Sequence, residues 1–223
     1  MIEKEFWTRE LVSRLREGFG GKLLFVGLQG SYRRGEATGT SDIDIVTVLD
    51  TLTLDDLKAY RKIIVSMPEH EKACGFVCGR AELYHWPRHE IFQLLQDTDP
   101  CFGSLAPLLP PTTDEDIVTS IKIEASNLYH GVCHLYLYEN ADVENLKGFY
   151  KSAFFILQLL YYQKTGEYIR TKRELLTRLD GGEQKILSIS ADWEAFRTER
   201  QKQPEQFFDL LLHWAGGILR QSA

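Results

Sequence analysis

The chain has 223 residues, of which 43% are hydrophobic, and a formal net charge of −6 at pH 7. This length suffices for one large domain or two small ones with real cores, and we expect two. The negative charge excludes broad electrostatic capture of DNA or RNA, so no nucleic-acid partner is expected. The sequence contains no apolar run long enough to span a bilayer, and its first residues lack the layout of a signal peptide. We therefore expect a cytoplasmic protein without a membrane partner.

The first part of the chain predicts a small mixed sheet with flanking helices. An amphipathic helix is predicted from Lys4 to about Arg16, and a capped helix begins near Thr53 and ends by Pro68. Short apolar or alternating runs between turn residues predict the strands. The predicted strands are residues 22–28, 42–49, around 75–78 and around 91–96.

The proline-rich segment 107–111 cannot continue a strand ladder, and it marks the predicted domain boundary. Beyond it, apolar residues recur at helical spacing, which predicts an all-α bundle. One long helix is predicted to begin at Thr113. Four further helices are predicted at roughly 143–164, 172–179, 183–188 and 205–219. The expected fold class is therefore α+β, with a catalytic domain over residues 1–110 and a helical substrate-binding domain over residues 111–223.

A glycine–serine turn follows the first predicted strand directly. Gly30 lets the backbone approach a ligand closely, and Ser31 adds a hydroxyl donor. A helix starting there would point free N–H groups at an anion. This composition is typical of a loop that holds phosphate.

Two aspartates open the second predicted strand. Side chains at i and i+2 of a strand share a face, so Asp42 and Asp44 are expected to project together. Two neighbouring carboxylates repel each other unless a cation lies between them. Mg²⁺ typically uses one or two protein carboxylates plus substrate phosphates, so the pair suits a Mg²⁺–nucleotide complex. The alternative is a surface turn with ordinary solvated charges, and the order of these residues between two apolar strands favours the functional interpretation.

The pattern Gly-Ser-x-x-Arg-Gly, a short loop and Ser-Asp-x-Asp resembles the DNA polymerase beta-like nucleotidyltransferases, especially the small antibiotic enzymes of the kanamycin and lincosamide type. The resemblance is strong over about residues 22–50. It implies that Gly30, Ser31, Arg34 and Ser41 bind the nucleotide. It also implies that Asp42 and Asp44 are catalytic and bind one or two Mg²⁺ ions.

The family carries a third acidic residue on a later strand of the same sheet. Glu90, which opens the strand-like run 91–96, is the first candidate for this catalytic and metal-binding position. Glu82 is the second candidate, and it is also compatible with a short helical turn before Trp86 and Pro87. For each glutamate, a solvated carboxylate is about as plausible as a metal ligand.

The resemblance implies the function. It is Mg²⁺-dependent transfer of a nucleoside monophosphate, most simply AMP from ATP, to a hydroxyl of a small acceptor such as an aminoglycoside-like antibiotic, with release of pyrophosphate. The alternatives are a regulatory nucleotide-binding protein of the toxin–antitoxin type and a protein adenylyltransferase. The family also makes a homodimer plausible.

Other patterns favour ordinary structural roles. The spacing of Cys74, Cys78, Cys101 and Cys133 predicts free thiols rather than a metal site. The pair His130 and His134 and the pair His85 and His89 have a spacing that can hold zinc. The first pair has no carboxylate or third histidine at a supporting position, and Trp86-Pro87 interrupts the second. Residues 18–22 lack the full spacing of a P-loop.

Overall fold

The computed structural model describes residues 2–221. The chain forms two compact units that divide between Thr112 and Thr113. Throughout the described residues, we find no helix that is both long and apolar enough to cross a membrane.

The first unit contains a four-stranded mixed sheet with the strand order β3-β2-β1-β4. The central strand β1 is antiparallel to both of its neighbours, whereas β2 and β3 are parallel. The strands are β1 (Leu23–Gln29), β2 (Ile43–Leu49), β3 (Ala73–Gly79) and β4 (Asp99–Phe102). The helices of this unit are α1 (Lys4–Phe19), α2 (Gly30–Arg34), α3 (Leu54–Val65), α4 (Arg80–Tyr84) and α5 (Arg88–Gln96).

One face of the sheet is covered by α1 and α3. Ile43 and Ile45 of β2 lie in a single buried cluster with Leu11 and Leu15 of α1. The polar Thr47 is also fully buried, and its hydroxyl is 3.1 Å from the Tyr60 hydroxyl on α3. Alternation along β2 therefore sends every second side chain into this helical layer.

The opposite face is covered by α4 and α5 over only part of its length. Val46 and Val48 of β2 pack with Leu83 of α4 and Ile91 of α5. Asp44 projects from the same face as Val46 and Val48, because it precedes them at intervals of two residues. The carboxylate therefore lies towards the end of β2 where the strand begins.

The second unit is helical, as predicted. Its helices are α6 (Asp114–Tyr138), α7 (Leu146–Thr165), α8 (Lys172–Leu176), α9 (Gly181–Ala191), α10 (Arg197–Lys202) and α11 (Pro204–Gln221). Helix α6 packs on α7 and α11, and α7 packs on α9. The buried Tyr150 hydroxyl of α7 donates to the Phe207 carbonyl at 2.9 Å. The buried Arg200 guanidinium stacks 4.0 Å from the Trp193 ring centre and pairs with Glu144 at 3.1 Å.

The predicted α+β fold class is confirmed, but one predicted strand is wrong. Residues 91–96 lie in α5, where Ile91 and Leu95 are four positions apart on the face that packs against the sheet. A short apolar run is compatible with either a strand or a buried helix, which explains the error. The fourth strand is instead β4, whose Pro100 is tolerated because β4 lies at a sheet edge. Helix α10 was not predicted.

The start of α3 generates a prediction about acid stability. Hydrogen bonds from Lys22 Nζ (2.6 Å) and from Thr53 lower the pKa of Asp56 to about 2, from 3.8. A carboxyl whose pKa is depressed in the folded state stabilises the fold above its unfolded pKa, and this contribution is lost as the pH falls towards the folded pKa. We expect Asp56→Asn to reduce stability near neutral pH and to flatten the loss of stability between about pH 4 and about pH 2.

Urea unfolding over that pH range measures the effect. Asp55→Asn is the matched control, because Asp55 is exposed and pairs with Lys58 within the same helix. Identical pH profiles for wild type and Asp56→Asn would contradict the assignment.

Candidate active site

Asp44 lies where three strands meet at one end of the sheet. It is in register with Gln29, the last residue of β1, and with Cys74 near the start of β3. Residues in register on neighbouring strands share a face, so these three side chains project side by side. Asp42 precedes β2 and is exposed to solvent. The structure therefore brings both predicted aspartates to this end of β2.

The glycine–serine turn lies directly against Asp44. Gly30 has a φ angle of 68°, a left-handed conformation that favours glycine. A Cβ atom built on Gly30 would overlap the Asp44 carboxylate, with Asp44 Cγ only 2.8 Å away. The absence of a side chain at residue 30 therefore allows the carboxylate and the turn backbone to meet.

Helix α2 continues this turn and carries the predicted nucleotide-binding residues Ser31 and Arg34. Ser31 lies in its first turn, and its carbonyl accepts a hydrogen bond from the Glu36 N–H at 2.9 Å. Arg34 pairs with Glu36 at 2.9 Å, and only 5% of its side chain is exposed. Glu36 therefore fixes the arginine beside the turn and compensates its charge.

Ser41 closes the loop between α2 and β2. Its hydroxyl accepts a hydrogen bond from the Thr38 N–H at 2.9 Å, and the Ser41 N–H donates to the Thr38 carbonyl at 3.2 Å. These two bonds shape the loop that delivers Asp42 to the strand. The predicted contact between Ser41 and a nucleotide stays a prediction.

Neither candidate for the third carboxylate lies on a strand beside Asp44. Glu90 is in the first turn of α5, where its carboxylate accepts a hydrogen bond from Trp86 Nε1 at 2.8 Å. Glu82 is on α4 beside Gly79, at the far end of β3. Gly79 is five residues along β3 from Cys74, which corresponds to roughly 16 Å at about 3.3 Å per residue.

The strand next to Asp44 carries a thiol at the equivalent position. Cys74 is exposed, and β3 (Ala73–Gly79) contains no acidic residue. Over residues 2–221, no three His, Cys, Asp or Glu side chains are grouped so that they could hold a metal ion. Asp42 and Asp44 are therefore the carboxylates that the structure describes at the start of β2.

The sequence interpretation missed Cys74 and Arg33. Cys74 becomes visible only once the register of β2 and β3 is known, because nothing in the local sequence connects it to Asp44. Arg33 is buried and pairs with Asp97 at 3.3 Å and with Asp99 at 3.2 Å. Its sequence neighbours gave no sign that two aspartates more than sixty residues away would surround it.

The arrangement combines two functions in one small region. Hard carboxylate oxygens from Asp42 and Asp44 suit a divalent cation that also binds phosphate. The turn at Gly30 and Ser31 offers backbone N–H groups and a hydroxyl, which suit phosphate oxygens. The site can therefore bring a cation and a polyphosphate together at the start of β2.

Comparisons with known proteins agree with this interpretation. Residues 8–73 match a family model described as a nucleotidyltransferase domain. The fold is similar to that of a spectinomycin adenyltransferase from Enterococcus faecialis, solved with ATP and spectinomycin, with a TM-score of 0.58 and 12% identity over 97% of this chain and 99% of that chain. A chain from a toxin–antitoxin complex solved with AMP-PNP has a TM-score of 0.34 and 16% identity over 60% of this chain and 96% of that chain. That TM-score is too low to support an argument. Comparison with curated proteins finds no match.

The matched residues contain the whole of the glycine–serine turn and both aspartates. The expected enzyme class, a nucleotidyltransferase, is thereby confirmed. Residues 8–73 therefore resemble a nucleotidyltransferase domain, and the fold of the chain is like that of a spectinomycin adenyltransferase.

Proposed function

We propose that the protein transfers a nucleoside monophosphate, most simply AMP from ATP, to a hydroxyl of a small acceptor such as an aminoglycoside-like antibiotic, and releases pyrophosphate. The observation that carries this proposal is the contact between the Asp44 carboxylate and the backbone at Gly30. This contact puts a cation-binding oxygen beside a phosphate-binding turn. The similar fold of an enzyme solved with ATP and spectinomycin supports the choice of nucleotide and acceptor class.

The residues present fit a Mg²⁺ ion bound with the nucleotide. Asp42 and Asp44 would hold it through hard oxygen ligands, and substrate phosphates and water would complete the coordination. The cleft left by the missing Cβ of Gly30 keeps Asp44 next to the turn where those phosphates would lie. When bound, the ion supplies charge neutralisation at the phosphates and a template for in-line attack.

The other residues of the site bind and orient the substrate. The turn N–H groups and the Ser31 hydroxyl would hold the terminal phosphates, which leave as pyrophosphate. Donors fixed in advance around developing negative charge stabilise the transition state more than the ground state. Arg34, held by Glu36, would offer guanidinium N–H donors beside the turn. Glu90 receives no role in this proposal, because its carboxylate is bound to Trp86 on a helix.

A second candidate function is nucleotide binding without transfer, as in a regulatory protein. The observation that favours it is the thiol of Cys74 beside Asp44, on a strand that contains no carboxylate. An acceptor hydroxyl needs a base within hydrogen-bond reach. Pyrophosphate release with a panel of acceptors separates the two functions, because a regulatory binder retains the nucleotide and releases nothing.

The aspartate pair provides the most direct test. We expect Asp42→Asn and Asp44→Asn each to lower acceptor-dependent pyrophosphate release by about 100-fold or more, because each removes a carboxylate that would hold the cation on the phosphates. The measurement compares all four nucleoside triphosphates with Mg²⁺ and with aminoglycoside, lincosamide and other hydroxylated acceptors.

Asp50→Asn is the matched control, because Asp50 follows the opposite end of β2 and pairs with Arg80. A folded Asp44→Asn variant with wild-type release would overturn the assignment. Nucleotide binding without release from any acceptor would favour the regulatory function.

Gly30→Ala tests the contact between the turn and the carboxylate. The new methyl group would displace Asp44, and alanine at position 30 would have to adopt a left-handed backbone conformation. We therefore expect transfer to fall by at least about 100-fold. Gly39→Ala is the matched control in the same loop, since a Cβ atom there meets no other atom within 4 Å. Equal activity of the two variants, measured per folded molecule, would argue against the proposed site.

Cys74 provides an independent probe of the same location. Cys74 and Cys101 are both exposed, Cys133 is half-buried and Cys78 is buried. Desolvation of the thiol raises the pKa of Cys78 to about 12 and also raises the pKa of Cys101. We expect iodoacetamide to modify Cys74 preferentially and to block transfer, and Mg²⁺–ATP to slow the loss of activity. Cys74→Ser should resist inactivation, whereas complete modification of Cys74 with full retained activity would contradict its placement.

A further inference from the structure

The glycine–serine turn is anchored on both sides by one segment of the chain. This support segment comprises residues 96–99, between α5 and β4. On one side of the turn, Gln29 Nε2 donates to the Thr98 hydroxyl at 2.8 Å. On the other side, Arg33 donates to the Gln96 carbonyl at 2.9 Å. Gly30 and Ser31 lie between the two anchors.

Arg33 makes the stronger of the two connections. Besides the Gln96 carbonyl, its guanidinium contacts the carboxylates of Asp97 at 3.3 Å and Asp99 at 3.2 Å. Only 2% of the Arg33 side chain is exposed, compared with 10% for Asp97 and 51% for Asp99. A buried guanidinium must be paired, and its planar fork fixes the directions of its bonds. Arg33 therefore binds α2 to the support segment in one defined geometry.

The support segment is itself fixed to the sheet. The Thr98 hydroxyl donates to the Leu94 carbonyl of α5. A Cβ atom on Gly27 would overlap the Thr98 methyl group and would lie 2.7 Å from the Phe25 ring. Thr98 therefore packs directly on the β1 backbone at Gly27. Packing on β1 and bonding to α5 together make the segment a firm base for the turn.

We infer that Arg33 is a positioning residue that holds the phosphate-binding turn against Asp44 through the support segment. The inference rests on the proposed function. Its distinct content is that Arg33 acts on the triphosphate end of the nucleotide through α2, without touching the nucleotide. The neighbouring Arg34 pairs with Glu36 inside the loop at 2.9 Å.

Arg33→Lys tests the inference while keeping the charge. Lysine cannot reproduce a planar fork with several acceptors, so the turn loses its fixed position. We expect the affinity for α,β-methylene-ATP with Mg²⁺ to fall about tenfold or more, since small misplacements in a bound geometry are costly. The affinity for AMP should stay within about twofold, because AMP lacks the phosphates that the turn binds. Isothermal titration calorimetry measures both.

Arg14→Lys is the matched control. Arg14 pairs with Glu10 at 2.7 Å and with the Ser66 carbonyl at 2.9 Å, on α1 rather than beside the turn. The same substitution there should leave both affinities unchanged. A loss of AMP affinity equal to the loss for the triphosphate analogue, or no loss for either ligand, would overturn the positioning role of Arg33.

Thr98→Val keeps the inference testable if Arg33→Lys does not fold. Valine preserves the shape of threonine over Gly27 but removes the hydroxyl bonds to Gln29 and to the Leu94 carbonyl, so a selective loss of triphosphate affinity is again expected. Unchanged affinity in a folded Thr98→Val variant would overturn the supporting role of the segment. Failure of the wild-type protein to bind any nucleoside triphosphate would instead overturn the proposed function together with this inference.

Discussion

The candidate site depends on one close approach, between the Asp44 carboxylate and the backbone at Gly30. Neighbouring strands of a sheet lie about 5 Å apart, which normally leaves room for a side chain at each position. The Asp44 carboxylate occupies the space that a Cβ atom on Gly30 would need. Gly30 also has a left-handed backbone conformation, which glycine adopts more readily than other residues. A carboxylate and the glycine–serine turn are thereby joined in one place.

Along β2, the buried residues that stabilise the fold are separate from the aspartates of the candidate site. Four consecutive residues of β2, from Ile45 to Val48, are buried between the helical layers on its two faces. Towards the start of β2 this burial ends, and Asp44 is half-buried and Asp42 is exposed. A carboxylate would be costly to bury inside the core, whereas at the edge of the helical layer it can meet solvent or a cation. The same alternation that builds the core therefore also places the carboxylate.

Local patterns predicted the parts of the site that are close in sequence. Gly30, Ser31, Asp42 and Asp44 span fifteen positions, and turn chemistry together with the two-residue period of a strand fixes their relation. Residues that come from distant segments escaped prediction. Cys74 depends on the register between β2 and β3, and the partners of Arg33 depend on the edge strand β4. The sequence predicted Glu90 at the start of a strand, because the six-residue run that follows it fits either a strand or a short helix. In the structure this run lies in α5, whose apolar face packs on the sheet.

The pairing of Asp44 with Cys74 restricts the chemistry that the first unit can perform alone. Two carboxylates suffice to hold one cation on a polyphosphate, because the phosphates complete its coordination. Activating a neutral hydroxyl further requires a base near the attacking oxygen, and β3 supplies a thiol where a carboxylate could have been. A thiol bears little charge at neutral pH unless its surroundings stabilise the thiolate. An acceptor that is already ionised, or a base brought from outside this sheet, would satisfy the requirement, and the dependence of transfer on the acceptor's own pKa distinguishes the two. An acceptor series in which the rate rises as the hydroxyl becomes more acidic would point to self-ionisation, whereas a rate independent of that acidity would point to a base supplied from elsewhere.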